Sequence, residues 1–314
     1  MNAIGKIPQP SSILDDDLPP HIRTPHPLEC RRMRPRREPR YLPRRRTRSA
    51  PVTRRSVAER WHDPQLEAAP DTGQMRINFK YGHWFSTTAG FSVKSQRAVY
   101  HEGPTECAAW IEAEALTSRI DLEFQPLRVV WRRDHGKTRH ITLDGGFELE
   151  DHSIVFTEYK GDRAYFEDEN IADLLDEAEA VLLRHGVSLR REDASELVGT
   201  MLHRTLKDVF DDRNTPFDRI VDVAAAREAV LREGGTAPLG KVWEAIGGDV
   251  RDASAKLNAM SVRRLVRIDP TLPQMPDILV DLPPERTAHN LRAFLAHHAT
   301  RDNAPSGIEE AMEE

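Results

Sequence analysis

Residues 140–161, HITLDGGFELEDHSIVFTEYKG, constrain the fold more than any other part of the chain. They read as two short extended runs around a polar turn formed by Glu150, Asp151 and His152. Residues 153–160, SIVFTEYK, are rich in β-branched and aromatic side chains and form the stronger strand. A hairpin folded about Asp151 sets Asp144 opposite Glu158, and directly opposed residues share a sheet face. Lys160 lies two residues beyond Glu158 and falls on the same face. Two carboxylates and an ammonium therefore converge, in the pattern D-x(n)-E-x-K.

That trio has a specific chemistry. Mg²⁺ is a hard cation that takes carboxylate and carbonyl oxygens and fills its remaining positions with water. Asp144 and Glu158 supply carboxylates, and the Tyr159 carbonyl can add a third oxygen. A bound metal acidifies its water and neutralises phosphate charge. Lys160 is placed to orient the water or to meet charge on phosphorus. The pattern is the signature of metal-dependent phosphodiester nucleases of the restriction-endonuclease type, with Mn²⁺ able to replace Mg²⁺. A solvated charged face on an edge hairpin would give the same spacing.

The preceding segment, 101–126, reads HEGPTECAAWIEAEALTSRIDLEFQP. Pro104 suits the first turn of a helix, and Ala108, Trp110, Ile111, Ala115 and Leu116 supply its apolar residues. Glu106 stands near its N-terminus, with Glu112 and Glu114 as rival acids. The chain then turns extended over 122–130, with Gln125-Pro126 inside that stretch. In order and spacing, these pieces resemble the TnsA family, the endonuclease subunit of heteromeric transposases. Its members show E-S-x-x-E on a helix, a Q-P pair, a T-P-D-F strand end, and E-V-K or Q-V-K. Here Glu102-Gly103-Pro104-Thr105-Glu106, Gln125-Pro126, Thr142-Leu143-Asp144 and Glu158-Tyr159-Lys160 stand in those places. Gly90-Phe91-Ser92-Val93-Lys94 resembles the basic segment that commonly precedes the helix. The resemblance covers about residues 85–165.

What the resemblance implies is a catalytic set of Glu106, Asp144, Glu158 and Lys160, with metal held by Glu106, Asp144, Glu158 and Tyr159. It also implies cleavage at the 5′ ends of a mobile element in double-stranded DNA. A DDE transposase subunit and an AAA+ regulator ATPase are the implied partners. Two departures stand out. Gly145-Gly146 replaces the usual Phe-Leu, which predicts a bulged or broken strand, and Glu102 is followed by Gly-Pro. Two other functions remain open: a stand-alone repair or restriction nuclease, and a DNA-binding scaffold whose nuclease site has decayed.

Charge is distributed unevenly. The net charge is -6, but residues 1–60 hold 15 Lys plus Arg against 6 Asp plus Glu. Thirteen arginines fall within residues 30–60, where Pro35, Pro39, Pro43 and Pro51 forbid a regular helix. This composition predicts a disordered arm, with Arg31, Arg32, Arg34, Arg44, Arg45 and Arg46 neutralising DNA phosphates. Cys30 and Cys107 sit in unrelated contexts, so neither a disulfide framework nor a zinc site is expected and a reducing cytoplasm is the default. No membrane span is expected; the compartment implied is the bacterial cytoplasm, in association with the nucleoid. No glycine-rich phosphate loop is present, so ATP hydrolysis is not expected of this chain. His135, His140 and His152 lack metal-ligand spacing and are expected at the surface.

The organisation expected is a disordered arm over 1–60, a linker over 61–75, a nuclease domain over 76–168, a helical C-terminal domain over 169–298 and an acidic tail over 299–314. A strand is expected at 76–80 and a helix at 171–185. Helices are also expected at 193–210, 217–232, 238–246 and 249–260, followed by strands at 262–268 and 277–282. The fold class expected is α/β: a restriction-endonuclease-like core with a mixed sheet, then a winged-helix-like domain. Arg251 and Lys256 lie on that domain's second helix, as DNA contacts, and Arg263, Arg264 and Arg267 on or near its wing.

Overall fold

A computed structural model describes residues 61–69, 74–75, 87–133, 138–270, 272–285 and 289–299. The arginine-rich arm, the strand expected at 76–80 and residues 300–314 lie outside the described residues. The described residues form a mixed α/β structure with several sheets.

The described residues open with β1 (Trp61–Ala68) and a hairpin of β2 (Thr87–Ser92) and β3 (Arg97–Glu102). Helix α1 (Gly103–Ala115) follows at once, with Pro104 in its first turn as expected. Strands β4 (Arg119–Phe124), β5 (Leu127–Arg133), β6 (Thr138–Thr142), β7 (Gly145–Leu149) and β8 (Ile154–Lys160) come next. A short α2 (Ala164–Glu167) leads into α3 (Glu169–Arg184) and β9 (Ser188–Asp193). The Asp168 carboxylate caps α3 by accepting from the Asn170 and Ile171 amides.

The central sheet has the order β4-β7-β8-β9; β9 runs parallel to β8 and the other pairs are antiparallel. A second sheet has the order β1-β5-β6. The two sheets meet at a corner where β4 passes into β5 and β6 into β7. There the Gln125 amide donates to the Asp144 carbonyl (2.9 Å) and the Leu143 amide to the Leu127 carbonyl (2.9 Å). Gln125 turns the chain with a φ of 47°.

Neighbouring positions on a strand face opposite ways, and the central sheet separates two apolar cores. Phe156 points into one, with Leu143, Trp131, Leu175 and Leu182. Tyr159 and Phe147 point into the other, with Trp110, Phe124, Leu206 and Phe210. Each buried aromatic or aliphatic side chain contributes about 1.5–3 kcal/mol to that burial.

Beyond the sheet come α4 (Ala194–Leu197), α5 (Met201–Asp211) and a 3-10 turn at Asp212–Asn214. A separate apolar cluster then forms from α6 (Val221–Arg232), β10 (Thr236–Pro238), α7 (Leu239–Ile246), α8 (Val250–Val262), β11 (Arg267–Ile268) and β12 (Leu279–Asp281). Its small sheet has the order β10-β12-β11. Last, α9 (Asn290–His297) returns to the central sheet and inserts Leu291 and Leu295 into the core that holds Phe156.

Several expectations need correcting. The first eight residues of the expected linker are strand β1, paired with β5. A single helix over 193–210 does not form. The alternating SLRRED run adds to the sheet edge as β9, and Gly199, at a φ of +77°, separates α4 from α5. The boundary expected at 168 is not where the cores change. Both α3 and α9 belong to the core that holds Phe156, and the separate cluster runs from Ala226 to Val280. Of residues 262–268 only Arg267–Ile268 pairs as a strand, because α8 continues to Val262. No helix among the described residues is long and apolar enough to cross a membrane.

Candidate active site

The hairpin of β7 and β8 pairs Gly145 with Thr157 and Gly146 with Phe156. One step further along the same register, Asp144 faces Glu158, as the turn about Asp151 predicts. The expected break at Gly145-Gly146 does not occur. A Cβ on Gly146 would lie 2.9 Å from both Phe156 Cε1 and Pro126 Cγ, and one on Gly145 2.9 Å from Phe147 Cζ. The glycines let the corner close against aromatic rings while the ladder continues.

Asp144 sits at that corner and is largely buried. Its Oδ2 accepts from the Tyr159 amide at 2.9 Å. Lys160 Nζ lies 3.9 Å from the same oxygen and donates to Glu158 Oε1. The ammonium thus bridges the two carboxylates. Burial by itself would lower the Lys160 ammonium, but Glu158 and Asp144 outweigh it and hold the group above the ordinary lysine range.

Glu106 reaches the site from the first turn of α1. Its Oε2 accepts from the Glu102 amide at 2.9 Å, so it also caps the helix. Burial first, then the negative charge of Asp144, push its carboxyl up to about 8, with smaller contributions from Glu102 and Glu158. Glu106, Asp144, Glu158 and Lys160 thus act on one another electrostatically. Tyr159 itself turns its ring into the core on the opposite face, where burial pushes the phenol up. Its backbone stays beside Asp144.

The donor set suits a hard divalent cation, being carboxylate and carbonyl oxygens. Lys160 already shows that a cation is held between Asp144 and Glu158. Among the described residues, however, no three His, Cys, Asp or Glu side chains are gathered closely enough to form a metal-holding group. Three acids feel one another, while one ammonium occupies the space between two of them.

Comparison of the chain with protein-family models and with curated proteins finds no match.

The rival acids on α1 have other work. Glu112 pairs with Arg119. Glu114 is fully buried and accepts from Ser92 Oγ (2.6 Å) and from the amides of Val93 (2.5 Å) and Lys94 (3.2 Å). Cys107 is half-buried, and burial pushes its thiol up. His140 is exposed, His152 Nδ1 lies 3.1 Å from Glu148, and His135 falls outside the described residues.

Of the expected DNA contacts, Arg31, Arg32, Arg34, Arg44, Arg45 and Arg46 fall outside the described residues. Arg251 is exposed on the first turn of α8. Lys256 is committed to Asp252 (3.1 Å) and Asp222 (3.5 Å) within its own module. The wing arginines are also engaged. Arg267 bonds Asp281 (2.7 Å) and Glu150 (3.0 Å), and Arg264 bonds the Thr117 carbonyl and Glu150. Glu150 of the hairpin turn thereby ties the C-terminal module to the central sheet.

Two contributors to the site were missed in the sequence. The Glu102 amide holds Glu106, and the Gln125 amide holds the Asp144 backbone. The four-residue spacing of Glu102 and Glu106 at a helix start was the available signal for the first. Only the Q-P pair hinted at the second.

Proposed function

We propose that this chain is a Mg²⁺-dependent DNA endonuclease subunit of a TnsA-like transposition system. On this reading its core is restriction-endonuclease-like, and it cuts the 5′ ends of an element while a DDE transposase subunit handles the 3′ ends. An AAA+ ATPase regulates the assembly. The observation that carries the reading is the ammonium of Lys160 set between Asp144 and Glu158, with the Glu106 carboxyl close enough to feel both acids. Helices on both faces of a mixed sheet are in keeping with such a core.

Asp144, Glu158 and the Tyr159 carbonyl would hold the metal, and Glu106 would act from the helix side. When bound, the metal acidifies a water and offsets phosphate charge. Lys160 would release Glu158 and turn to the scissile phosphate or its attacking water. The C-terminal module, with order α6-β10-α7-α8-β11-β12 and sheet order β10-β12-β11, reads as a winged helix.

The test is Mg²⁺-dependent nicking of element-end DNA by the chain with its transposase partner. Asp144→Ala and Lys160→Ala should each abolish the nick. If both variants cut normally, the assignment is wrong.

A second reading, a DNA-binding scaffold with a decayed site, is favoured by the lack of a gathered three-ligand group among the described residues. Calorimetry with Mn²⁺ separates the two. The nuclease binds the ion in a manner lost in Asp144→Asn, whereas the scaffold shows no such signal.

A further inference from the structure

Two cavities of about 270 and 290 Å³ adjoin one another, both lined by Val93 and Arg263. Arg227, Arg264 and Lys94 line the first and Arg219 the second. Together they form an open track between the β2–β3 turn and α6. Its charge is lopsided: four arginines line it, with Lys94, whose ammonium burial lowers to about 7, against the single carboxylate of Glu285.

The cations differ in what they already hold. Lys94 is buried and donates to the Ala113 carbonyl (2.9 Å) and the Leu116 carbonyl at the end of α1. Arg264 is bonded to Thr117 and Glu150. These two shape the floor. Arg219 and Arg227 are exposed and form no ion pair with any described residue. Arg263 donates only to the carbonyls of Arg213 (2.7 Å) and Ala259 (2.9 Å). Burial, and then the like charge of Arg219, lower its guanidinium from the ordinary range. Guanidiniums that outnumber the carboxylates around them are the arrangement that an external anion relieves, and their forked donors match phosphate oxygens.

We infer that this track, through Arg219, Arg227 and Arg263, binds the phosphate backbone of duplex DNA. The choice of DNA over another anion rests on the nuclease reading. Glu106 and the Lys94 contact lie near opposite ends of α1, so about nine residues at 1.5 Å each separate them, or about 14 Å. That is about four base-pair steps of duplex, so one bound DNA can reach both places. Of its arginines the sequence pointed only to Arg263; Arg219, before α6, and Arg227, on α6, carried no signal of their own.

The experiment measures binding of the full chain to a labelled 20-base-pair duplex in EDTA, by fluorescence anisotropy across a salt series. Losing two phosphate contacts in Arg219→Ala/Arg227→Ala should reduce the slope of log K against log salt by about 2. Arg219→Lys/Arg227→Lys should keep most of it. A slope equal to that of the unaltered chain overturns the proposal, as does a chain that binds no duplex. Inorganic phosphate is titrated in parallel by calorimetry. Saturation at low millimolar phosphate, lost in the double alanine variant while the DNA slope stays unchanged, assigns a small anion and overturns the duplex. Lys241→Ala, which removes a surface cation that pairs with Glu233 and lines neither cavity, serves as the control and should bind with the unaltered slope. A chain that grips duplex through this track but never nicks removes the nuclease reading and leaves the track standing.

Discussion

The carboxylate of Asp144 and the backbone amide of Tyr159 are joined by a 2.9 Å hydrogen bond across the hairpin. One oxygen therefore serves both the fold and the proposed chemistry. Asp144→Asn keeps an acceptor for that amide but loses the charge, whereas Asp144→Ala loses both. Nicking should fall at least ~100-fold in each, as is usual when a metal-site group is lost. Only Asp144→Ala should also cost stability, by about 1–2 kcal/mol for the unpaired amide. Nicking rates beside urea denaturation of both variants check this.

Gly146→Ala should destabilise the chain by about 1–3 kcal/mol, because the new methyl meets Phe156 and Pro126 at 2.9 Å in a closed corner. Gly161→Ala is the control, since a Cβ there meets nothing within 4 Å. Equal midpoints for the two variants would contradict the crowding described for the corner.

Glu177 is buried on α3 and gathers three donors from the second sheet. It accepts from Trp131 Nε1 (2.6 Å), from Arg133 (2.6 and 3.0 Å) and from Arg139 (3.3 Å). Glu177→Ala strands the buried Trp131 donor, while Arg133 and Arg139 keep Asp173, and should cost about 1–3 kcal/mol. Glu177→Gln, which retains an acceptor, should cost less. Thermal melts of both variants, read with a near-ultraviolet signal from Trp131, follow the loss.

Stability should also fall with acid through His101, which is fully buried beside Trp110, with ring centroids 5.3 Å apart. Burial lowers its imidazole from the ordinary 6.5 to about 4. Below pH 6.5 the unfolded chain takes up a proton that the folded chain resists. The contribution is therefore complete above 6.5 and is lost as pH falls through about 4. Over that window it amounts to about 3 kcal/mol. His101→Leu should flatten the curve between pH 6.5 and 4; an unchanged slope in denaturation series would refute this.

The hairpin was legible because alternation and a polar turn determine register with little outside help, so Asp144 and Glu158 could be set opposite each other from the sequence alone. Pro104 marked the start of α1 for an equally local reason. Long-range partners decided the rest. Residues 61–68 lack strand alternation of their own and become β1 only by pairing with β5. Residues 188–193 gain their identity from the edge that β8 offers. Gly145-Gly146 looked like damage because the rings it accommodates come from Phe147 and Phe156, one of them across the hairpin. Arg264 and Arg267 read as a basic surface because nothing local shows that Glu150, more than a hundred residues earlier, will claim them.

The return of α9 reaches beyond its few contacts. Arg292 clasps Asp121 at 2.8 Å, the Ala68 amide bonds the His298 carbonyl at 3.0 Å, and Leu291 fills the core behind the hairpin. The half of this molecule that carries the candidate site is thus discontinuous along the polypeptide, so it cannot be excised by one cut after β9. A ribosome must deliver residue 298 before that half is whole, and the intervening module is threaded through it like an insertion.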